Sequence, residues 1–248
     1  MIQDPNLLAE TLDAEFAVLS PLDRLQTLRD KVKGRIVFTT SLGLEDQMLT
    51  HLIFANNIKI DVVTLDTGRL FPETYDVWRE TEEKYGKRIH AKYPQAEALE
   101  NLIEEQGIDG FYYAKEFRLN CCGVRKIEPL GRALEGASAW VTGLRGDQSQ
   151  NRLGMAFASY ETQKKLIKAN PLLDLSREKI AHFNDDHGVP INALHDKGFL
   201  SIGCAPCTRA IQPGEPERAG RWWWEPPEQK ECGLHLVNGK LERTKKAN

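Results

Sequence analysis

The chain has 248 residues, of which 41% are hydrophobic and 28% are charged, a composition typical of a globular protein with a substantial core. The formal net charge of -3 at pH 7 argues against nonspecific binding of nucleic acid, which needs an excess of basic residues. No apolar run is long enough to span a membrane, and the first residues lack a secretory signal pattern. We therefore expect a cytoplasmic protein that binds neither membrane nor nucleic acid, and the oligomeric state stays open, a homo-oligomer included.

Local periodicity predicts alternating helices and strands. Apolar residues at helical spacing predict one or two helices over residues 6–33. The predicted strands that follow are 35–40, 58–65, 88–93 and 139–142, and the predicted helices are 44–56, 72–85, 96–106 and 120–135. This alternation predicts an α/β fold with a parallel sheet and flanking helices.

The last third of the chain has a different pattern. Residues 155–169 alternate weakly and predict a hairpin, and residues 176–187 predict a polar helix. Beyond residue 211, closely spaced Pro and Gly residues and three consecutive Trp residues argue against long regular elements. We therefore divide the chain into an α/β domain over residues 1–210 and a C-terminal tail over residues 211–248, which we expect to be mobile.

Three loops follow predicted strands at their carboxyl ends, where ligands bind in parallel sheets. They cover residues 40–45, 65–71 and 143–152. The first leads into a helix, so its free backbone N–H groups and the helix dipole favour an anion. It lacks the Lys of a Walker loop, and ordinary strand-to-helix turns have similar sequences. Because three such loops converge, we favour nucleotide binding over ordinary turn chemistry.

The five cysteines divide into four candidate metal ligands and one candidate nucleophile. Cys121 and Cys122 are adjacent, and Cys204 and Cys207 form a second pair. We place the adjacent pair at the start of a helix, where the thiolate form is favoured. Four thiolates can hold an iron-sulfur cluster or zinc. The adjacent pair departs from the usual zinc spacing, so we favour iron-sulfur, with zinc and unrelated core or redox thiols as alternatives.

Cys232 lies near two basic side chains, Lys230 and His235, which favour its thiolate and hence its reactivity. The alternative is an idle exposed thiol. Further basic residues flank the candidate loops and cysteines, and Arg pairs well with phosphate or sulfate oxygens, although each could be a solvated surface charge. They are Lys126, Arg145, Arg152, Arg209, Arg218 and Arg221.

Over roughly residues 35–236, the chain resembles assimilatory adenylylsulfate (APS) reductases of the iron-sulfur type, within the wider APS/PAPS reductase family. The cysteine motifs and the final pentapeptide are the most specific features. The matching motifs are Ser41-Leu-Gly-Leu-Glu-Asp46, Leu65-Asp-Thr-Gly-Arg69, Cys121-Cys-Gly-Val-Arg-Lys126, Thr142-Gly-Leu-Arg145, Asp147-Gln-Ser149, Gly203-Cys-Ala-Pro-Cys-Thr-Arg209, Glu217-Arg-Ala-Gly-Arg-Trp-Trp-Trp-Glu225 and Glu231-Cys-Gly-Leu-His235.

The resemblance implies an ATP pyrophosphatase-like (adenine nucleotide alpha hydrolase-like) fold and an enzyme of sulfate assimilation toward cysteine. A 4Fe-4S cluster would be held by Cys121, Cys122, Cys204 and Cys207. Cys232, on the tail, would attack the sulfur of APS and form S-sulfocysteine and AMP, and thioredoxin would then release sulfite. The implied substrate-binding residues are Ser41, Gly43, Leu65, Thr67, Lys126, Gly143, Arg145, Arg152, Arg218, Arg221 and His235.

Two features bear on alternative functions. Gly146 follows Arg145 where the family usually has a second Arg, which puts one basic contact in doubt. PAPS reductases generally lack the four ligand cysteines, so the sequence favours APS, with a PAPS or dual APS/PAPS reductase as the closest alternative. A non-catalytic nucleotide-binding module with structural zinc is the alternative from another class.

Overall fold

The structure, a computed structural model, describes residues 4–148, residue 152 and residues 154–226. Its α-helices are α1 (Pro5–Phe16), α2 (Pro21–Lys31), α3 (Leu44–Ala55), α4 (Pro72–Tyr85), α5 (Ala96–Gln106), α6 (Lys115–Cys122), α7 (Glu128–Leu134) and α8 (Arg177–Asp186). Its strands are β1 (Arg35–Thr40), β2 (Asp61–Leu65), β3 (His90–Lys92), β4 (Ala137–Val141), β5 (Ala158–Glu161) and β6 (Leu166–Ala169).

The six strands form one sheet in the order β3-β2-β1-β4-β6-β5. The pairs β3-β2, β2-β1, β1-β4 and β4-β6 are parallel, and β5 pairs with β6 in an antiparallel hairpin at one edge. The carboxyl ends of β1, β2 and β4 therefore lie at the same edge of the sheet. The prediction of a mainly parallel α/β fold with flanking helices, and that of the hairpin, are confirmed.

Strand β1 lies at the centre of the sheet and is buried on both faces. Ile36 and Phe38 pack into the core cluster that includes helices α1, α2, α3 and α8, whereas Val37 packs with Leu130 and Ala133 of α7. A continuous apolar run is the expected pattern for a strand covered by helices on both sides. This packing fixes the position of the loops that leave the sheet.

Most element boundaries agree with the sequence prediction. Strand β1 and helices α4 and α5 have the predicted bounds, and α4 begins with Pro72 in its first turn, where Pro is well tolerated. Strand β2 is shorter than predicted and begins at Asp61. The backbone N–H of Ile58 donates instead to Ile53 O at the end of α3, so this residue is not available to the sheet ladder.

The predicted helix over residues 120–135 is wrong at its start. Helix α6 begins at Lys115, and Cys121 and Cys122 are its last two residues. A π-helical turn, Gly123–Ile127, then connects α6 to α7. The N-cap of α6 is Ala114, which makes no side-chain capping bond, so the true start has no capping signal in the sequence. Because the chain is already helical before them and stays helical beyond them, neither cysteine lies in a first helical turn, and the proposed dipole effect on the cysteine pair is therefore wrong.

Residues 211–226, called here the C-terminal segment, pack against the rest of the molecule. Trp222 is 1% exposed and packs with Phe111, Cys204 and Cys207. The segment contains turns and one isolated bridge, between Arg221 and Thr208, as the Pro and Gly content predicts. Residues 227–248 of the predicted tail lie outside the described residues, so its mobility and the domain division at residue 210 stay predictions. In the described ranges, no helix is both long and apolar enough to cross a membrane.

Candidate active site

A cleft with a cavity volume of about 250 Å³ lies at the carboxyl ends of β1, β2 and β4 and is open to solvent. Ligands of parallel α/β sheets bind at this edge. The three loops that the sequence singled out all contribute to the wall of this cleft. Most of the predicted substrate-binding residues line it, namely Ser41, Gly43, Leu65, Thr67, Lys126, Gly143, Arg152, Arg218 and Arg221. The fold therefore brings together residues that are as much as 180 positions apart in the sequence (Ser41 to Arg221).

The loop after β1 is closed by the buried carboxylate of Asp46. Its Oδ2 accepts hydrogen bonds from the backbone N of Ser41 at 2.5 Å and from the Ser41 hydroxyl at 2.6 Å. Burial raises the pKa of Asp46 to about 6, although the two Ser41 hydrogen bonds act in the opposite direction. Gly143, after β4, allows this close approach, because a Cβ there would lie 2.0 Å from Asp46 Oδ1. The first and third loops are thus interlocked.

Arg145 does not line the cleft, unlike most of the predicted substrate ligands. Its side chain is 1% exposed and forms ion pairs with three carboxylates. Nε donates to Glu45 at 2.8 Å, Nη1 to Asp147 at 2.5 Å and Nη2 to Glu217 at 2.6 Å. We call these four residues the Arg145 network. It joins the start of α3, the loop after β4 and the C-terminal segment.

A second cavity, called here the cysteine cavity, is lined by Cys121, Cys122, Cys204 and Cys207. None of the four forms a disulfide. Cys204 Sγ lies 3.3 Å from the hydroxyl of Thr67, a residue that also lines the cleft. The other residues that line the cavity are mostly basic or aromatic, namely Arg69, Phe111, Arg118, Arg125, Lys126, Pro206, Arg221 and Trp222. Lys126 and Arg221 line both cavities, so the same two cations face both spaces.

The cysteine cavity has the donor set that an iron-sulfur cluster requires. Its four thiols are soft ligands, and two of its buried donors, Arg125 Nε and Arg221 Nε, have no hydrogen-bond partner. Cluster sulfides and thiolates accept hydrogen bonds, and their negative charge suits a cationic wall. Among the described residues, no group of three or more His, Cys, Asp or Glu is arranged to hold a metal ion. The four thiols instead border one shared cavity.

The thiols differ in their electrostatic environments. Burial raises the pKa of Cys207 to about 12, and it also raises the pKa of Cys121 despite the opposing charge of Arg125. For Cys204, burial is outweighed by the charge of Lys126 and the hydrogen bond from Thr67, so the pKa of this thiol is lowered. Lys126 therefore acts on the cysteine cavity as well as on the cleft.

The C-terminal segment contacts the cysteine cavity through a buried ion pair. Arg118 of α6 donates from Nε and Nη2 to the carboxylate of Glu225 at 2.6 and 2.9 Å, and the two side chains are 1% and 6% exposed. The guanidinium groups of Arg118 and Arg221 both lie over the ring of Trp222, at 4.7 and 4.9 Å from its centroid. Gly203 leaves room for Arg221, since a Cβ at residue 203 would lie 2.3 Å from Arg221 Nη2.

Most residues that the sequence predicts to bind substrate line the cleft, but several residues that organise it were not predicted. Arg118, Glu217 and Glu225 lie in or beside the recognised motifs, yet their ion-pair partners are distant in sequence, and no local pattern points to them. Cys232 and His235, the predicted nucleophile and its neighbour, lie outside the described residues. Their roles stay predictions.

The comparison with protein families decides the classification. The family model described as the phosphoadenosine phosphosulfate reductase domain matches residues 35–210. The chain belongs to this family. The match includes three loops of the cleft and all four cysteines of the cavity, and it ends just before the C-terminal segment.

Within the phosphoadenosine phosphosulfate reductase family, the chain is similar to curated proteins named adenosine 5'-phosphosulfate reductase. The one from Agrobacterium fabrum is 50% identical over 238 residues, covering 95% of this chain and 91% of the relative. The one from Allochromatium vinosum is 47% identical and covers 94% of this chain and 90% of the relative. A solved structure of phosphoadenylyl-sulfate (PAPS) reductase from Candida auris, a phosphate complex, superposes with a TM-score of 0.69 at 25% identity, covering 82% of this chain and 96% of that one.

Proposed function

We propose that this protein is an adenylyl-sulfate reductase that reduces adenosine 5'-phosphosulfate to sulfite and AMP with electrons from thioredoxin, in cytoplasmic sulfate assimilation toward cysteine. The observation that carries the proposal is the 47–50% identity, over nearly the whole chain, to proteins named adenosine 5'-phosphosulfate reductase. The cationic cleft beside four cysteines supports it.

The reaction requires a thiolate to approach a substrate that is itself an anion. The Cys232 thiolate attacks the sulfate sulfur, the sulfur–oxygen bond to the phosphate breaks, and AMP leaves with the bonding electron pair. A thioredoxin thiolate then attacks Cys232 Sγ, which releases sulfite and leaves a mixed disulfide, and the second thioredoxin thiol resolves it. The two electrons therefore come from the thioredoxin dithiol.

Different residues are proposed to bind the nucleotide, to neutralise the phosphosulfate and to support the attacking thiolate. Ser41, Gly43, Leu65, Thr67 and Gly143 border the part of the cleft nearest the strand ends and are proposed to bind the nucleotide. Lys126, Arg152, Arg218 and Arg221 would neutralise the phosphosulfate, which lowers the electrostatic barrier to an attacking thiolate. His235 is proposed to support the Cys232 thiolate.

Cys121, Cys122, Cys204 and Cys207 are proposed to hold a 4Fe-4S cluster. A bound cluster would supply fixed structure and negative charge beside the cleft. The cavity's unpaired Arg125 and Arg221 donors fit that group, since its sulfur atoms can accept their hydrogen bonds. Lys126 and Arg221 would then face both the cluster and the phosphosulfate.

The decisive experiment compares sulfite release from APS and from PAPS, with excess thioredoxin and anaerobically purified protein. We expect sulfite from APS, and loss of the activity in Cys232→Ser with iron content unchanged. Sulfite release by Cys232→Ser at the wild-type rate would refute the nucleophile. Comparable activity with PAPS would favour the dual-specificity alternative, and zinc without iron or turnover would favour the nucleotide-binding module.

A further inference from the structure

Glu217 holds a central position in the C-terminal segment. Its Oε2 accepts from Arg145 Nη2 at 2.6 Å, and its Oε1 lies 3.8 Å from Arg177 Nη1 of α8. Arg145 is 1% exposed and Glu217 is 19% exposed, so this contact is largely shielded from water. Charge-assisted pairs of this kind have a defined geometry and are stronger than neutral hydrogen bonds. Glu217 is therefore fixed to the body of the protein.

Two consecutive turns connect Glu217 rigidly to the cationic residues that follow it. The backbone N of Ala219 donates to Pro216 O at 2.8 Å, and the backbone N of Arg221 donates to Arg218 O at 3.0 Å. The position of Glu217 therefore determines where the Arg218 and Arg221 side chains enter the cleft.

Arg218 and Arg221 converge on the same small region. Each has Nη1 within 3.5 Å of the Ser201 hydroxyl. Two like charges brought together repel each other, and an anion that binds between them lowers this repulsion. In the absence of that anion, contacts within the protein hold the two residues in place. The ion pair of Glu217 with Arg145 supplies such a contact.

We propose that Glu217 is a positioning residue, which acts through Arg145 to hold Arg218 and Arg221 where they meet the sulfate group of the substrate. The inference rests on the proposed function for the identity of that anion. It also assigns Arg145 a different role from the one expected from the sequence. Arg145 fixes the C-terminal segment, and its guanidinium is engaged with carboxylates of the protein.

The test compares Glu217→Gln with Glu215→Gln in the holoenzyme. Glu215 lies two residues earlier in the same segment and pairs locally with Arg209, so the control has the same chemical change without the Arg145 contact. The measurements are KM and kcat for APS and the inhibition constant of AMP, which lacks the sulfate. Cleavage by trypsin after residues 218 and 221 reports on segment docking without any turnover.

For Glu217→Gln we expect the KM for APS to rise roughly tenfold, while the inhibition constant of AMP changes much less. Trypsin should cleave after residues 218 and 221 faster than in the wild type, and Glu217→Asp, which keeps the charge, should recover part of the loss. Glu215→Gln should resemble the wild type in each measurement.

The inference is overturned if APS and AMP are weakened equally, or if Glu215→Gln has the same effect as Glu217→Gln. It is also overturned if Glu217→Gln has wild-type constants and wild-type trypsin cleavage. Absence of sulfite release by the wild type would instead refute the proposed function, and the trypsin comparison would still decide whether Glu217 docks the segment.

Discussion

The buried ion pair between Arg118 and Glu225 allows a sharp test of how the C-terminal segment is held. It has nearly the same geometry as a surface pair elsewhere in the chain, between Arg132 and Glu128. Both are bidentate, with nitrogen–oxygen distances of 2.6 and 2.9 Å. The buried side chains are 1% and 6% exposed, whereas the surface ones are 31% and 43% exposed. The two pairs therefore match in the geometry of their carboxylate contacts and differ strongly in burial.

We expect Glu225→Gln to lower the free energy of unfolding by about 3 kcal/mol, because it removes the carboxylate charge that pairs with the buried Arg118 guanidinium. For a chain of this size, that loss corresponds to a fall of about 6 to 12 °C in Tm. Glu128→Gln should cost at most about 1 kcal/mol, or about 2 to 4 °C, since water solvates the remaining charge.

Thermal unfolding of both variants, followed by calorimetry under identical anaerobic conditions, measures this difference. Iron content is determined in parallel, so that a loss of cluster is not mistaken for a loss of the ion pair. Removing the Arg118 charge as well, in Arg118→Met combined with Glu225→Gln, should recover part of the stability. Equal shifts in Tm for Glu225→Gln and Glu128→Gln, at equal iron content, would refute the reasoning.

Two further predictions follow from the cleft. Because burial raises the pKa of Asp46 to about 6, the folded state binds a proton more tightly than the unfolded state, and this contribution to stability is lost as pH rises through about 4 to 6. The difference in unfolding free energy, Asp46→Asn minus wild type, should therefore increase by about 1 to 2 kcal/mol between about pH 5 and about pH 8. Urea titrations at both pH values measure this difference. A difference that does not change with pH would contradict the assignment. Gly203→Ala should raise the KM for APS roughly tenfold with little change in Tm, because the new methyl group displaces the flexible end of Arg221. Gly131→Ala, which meets no atom within 4 Å, is the control, and an equal KM in both variants would contradict the role of Gly203.

Much of the fold could be predicted from local sequence. The apolar run of β1 and the amphipathic pattern of α4 and α5 are properties of neighbouring residues, and they predicted these elements with their observed bounds. The start of α6 could not be predicted in this way, because Ala114 makes no capping bond and the chain remains helical through Cys121 and Cys122 into the π-helical turn. The helix start was predicted wrongly because the sequence has no capping residue at the true start.

In the candidate site, too, the identities of the side chains could be read from the sequence, whereas contacts between residues distant in sequence could not. The sequence by itself determined which residues are candidates for the chemistry, namely four thiols in two pairs, a fifth thiol and the cations near them, because reactivity and charge are intrinsic properties of these side chains. Only the tertiary structure decided that Lys126 and Arg221 line both cavities. It likewise decided that Arg145 pairs with Glu217, 72 positions away, and Arg118 with Glu225, 107 positions away. Such contacts depend on how the sheet edge, α6 and the C-terminal segment meet, and that arrangement follows from the packing of the whole core.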